Sequence, residues 1–262
     1  MNSDCIARKY LEALGYQVKV IPTSDHDRKK EADFIIGYDD HIAIVEAKLK
    51  EDDKKIAEYK DSALASGEVS IVEGKLGRNE TISGVLRNSA KQLASSSDKE
   101  HDFKIVSFLA TGSNVKTKAD QFKDTIYGST SIIHGSTYKP CYFYRNADFF
   151  RRDIIDGAIV GYIFNGIIFL ELCLNPYSNN YEKLKTSSFI KPFGTAIIDP
   201  VELERQGLAY IPDEHIERKL NEFQLLSPMN NPILTHLMKK YNTGFLIPAD
   251  FNSPEFSVRY ED

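Results

Sequence analysis

At 262 residues the chain is long enough for one large domain or two small ones, and 42% hydrophobic with 27% charged residues marks an ordinary globular protein able to bury a core. Its net charge of −5, from 33 Lys and Arg against 38 Asp and Glu, excludes a protein that coats nucleic acid nonspecifically, but leaves room for a local basic groove. Cys5, Cys141 and Cys173 are scattered and form no C-x-x-C pair, which argues for neutral thiols in a reducing cytoplasm, with no disulfide framework and no cysteine-based zinc site.

The first element is Asp4–Leu14, with apolar residues at Ile6, Ala7, Tyr10, Leu11 and Leu14. That spacing predicts an amphipathic helix, not a signal peptide, with Ser3 to cap it and Gly15 to stop it. Tyr16–Ile21 alternates as a strand and ends at Pro22; a polar, charged loop follows. Asp33–Tyr38 and Ile42–Leu49 read as two strands joined at Asp39-Asp40-His41. Lys50–Lys60 is lysine-rich and predicts a solvated helix or loop. Thr81–Ala94 shows helical spacing through Ile82, Val85, Leu86, Ser89 and Leu93, and Phe103–Ala110 reads as a short buried strand. The order helix, strand, strand, strand, helix, strand predicts an α/β sandwich with a mixed sheet flanked by helices.

From about residue 126 the chain is richer in aromatics, among them Tyr138, Tyr142, Phe143, Tyr144, Phe149 and Phe150. Its longest apolar stretch, Ile154–Leu174, is interrupted by Asp156, Asn165 and Glu171. Asn165-Gly166 lies between two apolar runs, which predicts a tight hairpin of buried strands and no transmembrane helix. Two further helices are expected, Asp213–Leu226 and Pro232–Tyr241. No internal repeat is present. Residues 126–262 therefore read as a C-terminal α+β region, either distinct or extending the same sheet.

The chemistry concentrates on the first strand pair. With Asp39-Asp40 as a two-residue loop, Tyr38 faces His41, and counting outward brings Asp33 opposite Glu46. Directly opposed residues have Cβ atoms about 5 Å apart, where two carboxylates repel. A divalent cation offsets that repulsion, and an all-oxygen donor set suits Mg²⁺, with Mn²⁺ able to substitute. The period of two puts Ile42, Ile44, Glu46 and Lys48 on one face of the strand, and the apolar Ala43, Val45, Ala47 and Leu49 on the other. An ammonium one step from Glu46 can orient a metal-bound water and neutralise charge developing on a phosphate.

Asp33 followed by Glu46-Ala47-Lys48 at the end of an apolar strand, in the setting EADFIIG…IAIVEAKLK, resembles the PD-(D/E)XK nuclease superfamily. The resemblance covers roughly the first 110 residues; the usual proline before the first acid is absent, and Ala32 stands there. It implies a restriction-endonuclease-like core in residues 1–125, with residues 126–262 shaping a substrate groove or binding a partner. It implies metal held by Asp33, Glu46 and the backbone carbonyl of Ala47, with Lys48 assisting the attacking water. By the same resemblance, Asp4 on the first helix is a further acidic ligand and Gln92 on the later helix a catalytic amide, with Lys91 second and Glu31 auxiliary. The implied activity is Mg²⁺-dependent cleavage of double-stranded DNA in the cytoplasm, in restriction or anti-phage defence, as a homodimer or with a helicase or ATPase partner. An RNA- or structure-specific nuclease, and a subunit that binds or assembles without cutting, are the alternatives.

Each signal has a plainer reading. A lone Glu-x-Lys is a common salt-bridged sheet edge; Asp4 suits any helix start; Gln92 suits any helix surface. Arg28, Lys29, Lys30, Lys50, Lys54 and Lys55 are either phosphate contacts or a solvated face, and Arg151-Arg152 either grips a strand or lies on a helix. The six histidines show no ligand spacing, and no G-x-x-x-x-G-K-[ST] motif occurs, so nucleotide hydrolysis would need a partner.

Overall fold

The computed structural model describes residues 3–22 and 30–259. Helix α1 (Ser3–Ala13) ends as its sequence dictates. Gly15 takes φ +94°, its N–H bonds the Glu12 carbonyl at 2.9 Å, and the Tyr16 N–H reaches back to Leu11 at 3.1 Å. This is the Schellman arrangement, and Gly15 adopts it without the strain a Cβ would bring.

The strands that follow are β1 (Gln17–Val20), β2 (Phe34–Tyr38) and β3 (His41–Lys50). Then come α2 (Lys54–Ala65), β4 (Ser70–Lys75), α3 (Glu80–Ser95), β5 (Phe103–Ala110) and α4 (Val115–Tyr127). Helix α2 resolves the lysine-rich stretch: Asp53 caps it by accepting the Lys55 N–H, and only Ala63 is buried along its length. Helix α4 and strand β4 lie in segments the sequence reading leaves unassigned.

The second half contributes β6 (Thr130–His134), β7 (Thr137–Cys141), α5 (Asp148–Arg151), β8 (Gly157–Phe164) and β9 (Ile167–Leu174). It continues with α6 (Tyr181–Thr186), a 3-10 helix (Ser188–Phe193), β10 (Ile197–Ile198) and α7 (Pro200–Arg205). Last come α8 (Glu222–Leu226), α9 (Pro232–Lys240), β11 (Ile247–Ala249) and β12 (Asn252–Ser257).

The central sheet runs β1-β2-β3-β5-β8-β9-β10. It is mixed: the β3–β5, β5–β8 and β9–β10 pairings are parallel, whereas β1–β2, β2–β3 and β8–β9 are antiparallel. Strands from both sides of residue 126 thus share one sheet, since β5 pairs with β8. The β8–β9 hairpin has Asn165 at φ 50° and Gly166 at φ 75°, the left-handed pair that a two-residue turn between twisted strands demands. Two smaller pairings flank the sheet, β11-β6-β7 and β12-β4.

Helices cover both faces. On one, Ala7 and Leu11 of α1, Leu184 of α6 and Phe189 pack on Val45, Ala47, Ile105 and Leu172. On the other, Leu86 and Leu93 of α3 and Phe122 of α4 pack on Ile44, Val106 and Phe108. A third apolar cluster joins Ile132, Cys141 and Tyr144 to Ile233, Leu234 and Leu237 of α9. Cys141 and Cys173 are buried free thiols and Cys5 is exposed. No described helix is long and apolar enough to cross a membrane.

One expected helix is shorter than its spacing suggests. Of Asp213–Leu226 only Glu222–Leu226 is helical. The preceding residues wrap the Arg218 guanidinium, which donates to the carbonyls of Pro212, Asp213, Glu214, Ile216 and Phe143. Carbonyls turned toward a half-buried cation are unavailable for helical bonds, so the cation wins over local propensity.

Candidate active site

The β2–β3 register runs from Tyr38 opposite His41 to Phe34 opposite Val45. Asp33 therefore stands one step beyond the last paired residue, opposite Glu46, as the two-residue loop requires. Its N–H still bonds the Val45 carbonyl at 3.1 Å. Asp39 makes the loop possible by taking φ 49°, which a short polar side chain tolerates.

The two faces of β3 separate cleanly. Val45 and Ala47 belong to the core under α1, and Ile44 to the core under α3. Glu46 and Lys48 follow Ile44 at the strand period, so they point to the α3 side. Glu46 has no solvent exposure at all, whereas the Lys48 side chain is 29% exposed.

The carboxylates divide their partners. Asp33 Oδ2 accepts the Ala47 N–H at 2.7 Å. Glu46 Oε1 takes the Lys48 ammonium. Glu46 Oε2 is buried and accepts no hydrogen bond among the described residues. Burial pushes the Glu46 carboxyl up to about 7; the Lys48 ammonium opposes that shift and the Asp33 charge adds to it. Asp33 is also raised, chiefly by burial, against the pull of the Ala47 N–H and Lys48.

Asp4 is exposed in the first turn of α1, and its charge contributes to raising Asp33. The Tyr10 hydroxyl anchors this helix against Ser107 of β5, the residue paired with Ala47. Asp4 does not complete a cage of three carboxylates with Asp33 and Glu46. Among the described residues, the set whose ligand atoms all lie within 4.8 Å is Asp213, His215 and His236.

Gln92 sits elsewhere. Its Nε2 donates to the Glu31 carbonyl at 3.2 Å, while the Ser96 hydroxyl accepts the Ala32 N–H at 2.9 Å. The end of α3 thus clamps the two residues that lead into Asp33, and Gln92 meets the backbone there rather than the carboxylates. Glu31 pairs with Lys99 at 2.6 Å, and Lys91 is exposed. Ser96 lies in the polar stretch that follows the expected helix, where nothing local marks it; only the return of α3 toward β2 gives it a partner.

Lys48 opens onto a cavity of about 180 Å³ also lined by Lys50, Asn79, Lys118 and Gln121. Lys118 and Gln121 come from α4, which sequence reading did not associate with the site. Lys30, Lys50, Lys54 and Lys55 are exposed, and Arg28 and Lys29 lie outside the described residues. Arg151 is exposed, but Arg152 is held by the buried Asp148 and is not free to grip a strand.

A fully buried carboxylate beside a half-buried one, the first with an orphaned oxygen, fits a hard divalent cation: all donors are oxygen, and among the described residues Lys48 is the cation on Glu46. Comparison with family models, with curated proteins and with solved structures gives no match to this chain, so the functional reading rests on this geometry.

Proposed function

We propose that the chain is a Mg²⁺-dependent endonuclease of the PD-(D/E)XK kind, with a restriction-endonuclease-like core, hydrolysing DNA phosphodiester bonds. One observation carries the reading: Glu46 is fully buried against Asp33, and its Oε2 accepts no hydrogen bond among the described residues while an ammonium sits on its other oxygen. Burying such a group without a partner is costly, and a cation removes the cost.

Asp33, Glu46 and the Ala47 carbonyl would hold the ion. A bound Mg²⁺ supplies an acidified water and a counter-charge for the phosphate. Lys48, on the accessible side of Glu46, orients the attacking water and takes up charge developing on the phosphate oxygens. The bond from phosphorus to the 3′ oxygen breaks and the phosphate stays on the 5′ side. Asp4 serves as an outer acid. Restriction or anti-phage defence is the proposed setting, on analogy with stand-alone members of that superfamily.

The complete burial of Glu46 favours a second reading, a nucleic-acid-binding or assembly subunit that no longer cuts. Plasmid cleavage separates the two. Wild type is expected to nick supercoiled DNA with Mg²⁺ and not with EDTA, and Glu46→Gln to be inactive. Undiminished cleavage by Glu46→Gln would remove the site assignment; no cleavage by wild type, together with retained DNA binding, favours the second reading.

A further inference from the structure

Sequence spacing assigns no ligand role to any histidine, yet folding brings two of them to one carboxylate. Asp213 and His215 lie on the irregular segment around Arg218, and His236 lies on α9, whose apolar side packs into the third core cluster. That cluster contains no residue of β3, so the group is separate from the acid pair.

The contacts at His236 are unusual for an ion pair. The Asp213 N–H donates to His236 Nε2 at 3.2 Å; an imidazole nitrogen has one lone pair, so a metal ion bound there takes the place of this hydrogen bond. Asp213 Oδ2 faces the same nitrogen at 3.4 Å. An ion that replaces the N–H contact would lie between Oδ2 and Nε2, within reach of His215, since ligand atoms of all three side chains fall within 4.8 Å of one another. Tetrahedral zinc with bonds of about 2.0–2.1 Å spaces adjacent ligands at about 3.3 Å, which the Asp213–His236 pair already matches. The His215 ring stands edge-on to His236 with centroids 5.9 Å apart. His215 is exposed, so rotation of its side chain is free to close the remaining gap.

The carboxylate is prepared for the role. Lys240 Nζ holds Asp213 Oδ1 at 3.0 Å and leaves Oδ2 turned toward His236. Lys240 also pairs with Glu204 at 2.8 Å, so its charge is shared and does not cancel Asp213.

We propose that Asp213, His215 and His236 form a second metal site, for a late first-row divalent ion such as zinc, that ties residues 213–215 to α9. Two imidazoles and one carboxylate make a borderline donor set that prefers zinc, cobalt or nickel to magnesium. Three protein ligands leave one position for water. Binding fixes a segment that has no regular hydrogen bonding of its own, so it raises stability.

The test uses the full chain carrying Glu46→Gln, which removes the acid pair as a competing site. After chelator treatment, calorimetry is expected to show one zinc per chain, unaffected by excess Mg²⁺. Cobalt is expected to give the visible absorption of a four- or five-coordinate ion. His236→Ala and, separately, the exposed His215→Ala are each expected to weaken zinc binding about ten-fold or more and to abolish the zinc-induced rise in melting temperature. Absence of zinc binding in the chain with all three residues intact overturns the proposal and leaves an ordinary His236–Asp213 contact. Zinc binding that persists in both histidine variants overturns it equally.

Discussion

The carboxylate of Asp33 accepts the backbone N–H of Ala47 at 2.7 Å, and so fastens the first acid to the peptide between Glu46 and Lys48. One oxygen is committed to the fold while the charge remains for a cation. Asp33→Asn keeps an acceptor for Ala47 and loses the charge; Asp33→Ala loses both. Asp33→Asn is expected to unfold in urea near the wild-type midpoint but to lose Mg²⁺-dependent cleavage. Asp33→Ala is expected to be inactive and also less stable by about 1–3 kcal/mol, because it orphans a buried N–H.

Glu46 makes a pH prediction whose sign is fixed by its raised pKa of about 7. Protonated Glu46 suits the buried site, so its contribution to stability is fully present below the unfolded value of 4.5 and is lost as pH rises through about 7. Without metal, the stability of Glu46→Gln relative to wild type is therefore expected to increase from pH 5 to pH 8, by roughly 2–4 kcal/mol. Urea titrations across that range measure it. Adding Mg²⁺ is expected to recover wild-type stability at pH 8 and leave the variant unchanged, since the ionised carboxylate is the ligand.

Lys48 lowers the Glu46 pKa by its hydrogen bond and opens to the adjacent cavity. Lys48→Met is expected to cut cleavage about 10²–10³-fold while retaining Mn²⁺ binding. The pH midpoint of that binding is expected to move upward, because Glu46 loses the cation that favours its charge. An unchanged midpoint, read by calorimetry, would show that the pair in the structure does not govern the carboxylate.

A control for the fold lies outside the site. Gly128 follows α4 at φ +57°, and a Cβ there would fall on the carbonyl oxygen of Arg145. Gly128→Ala is expected to lower stability by more than about 1 kcal/mol through combined strain and overlap. Thermal unfolding measures it, and the pH dependence set by Glu46 is expected to be retained.

Much of the scaffold was legible because local signals agreed with one another. The apolar spacing of α1 and its Gly15 stop, the Asp39-Asp40 turn and the Asn165-Gly166 hairpin each have a short-range cause that survives folding. The opposition of Asp33 and Glu46 followed from loop length alone, since a two-residue turn leaves no freedom of register. The helix expected over Asp213–Leu226 is confined to its last turn because the half-buried Arg218 cation outweighs helical spacing.

What the sequence determined by itself was the strand pair, its register and the face that carries Glu46 and Lys48, all consequences of period-two geometry along adjacent residues. Tertiary structure decided the rest: that Glu46 is fully buried, that Ser96 and Gln92 grip the backbone before Asp33, that α4 brings Lys118 to the cavity Lys48 lines, and that His215 meets His236. Burial and contacts between distant segments depend on how helices cross the sheet, and no local pattern encodes those distances.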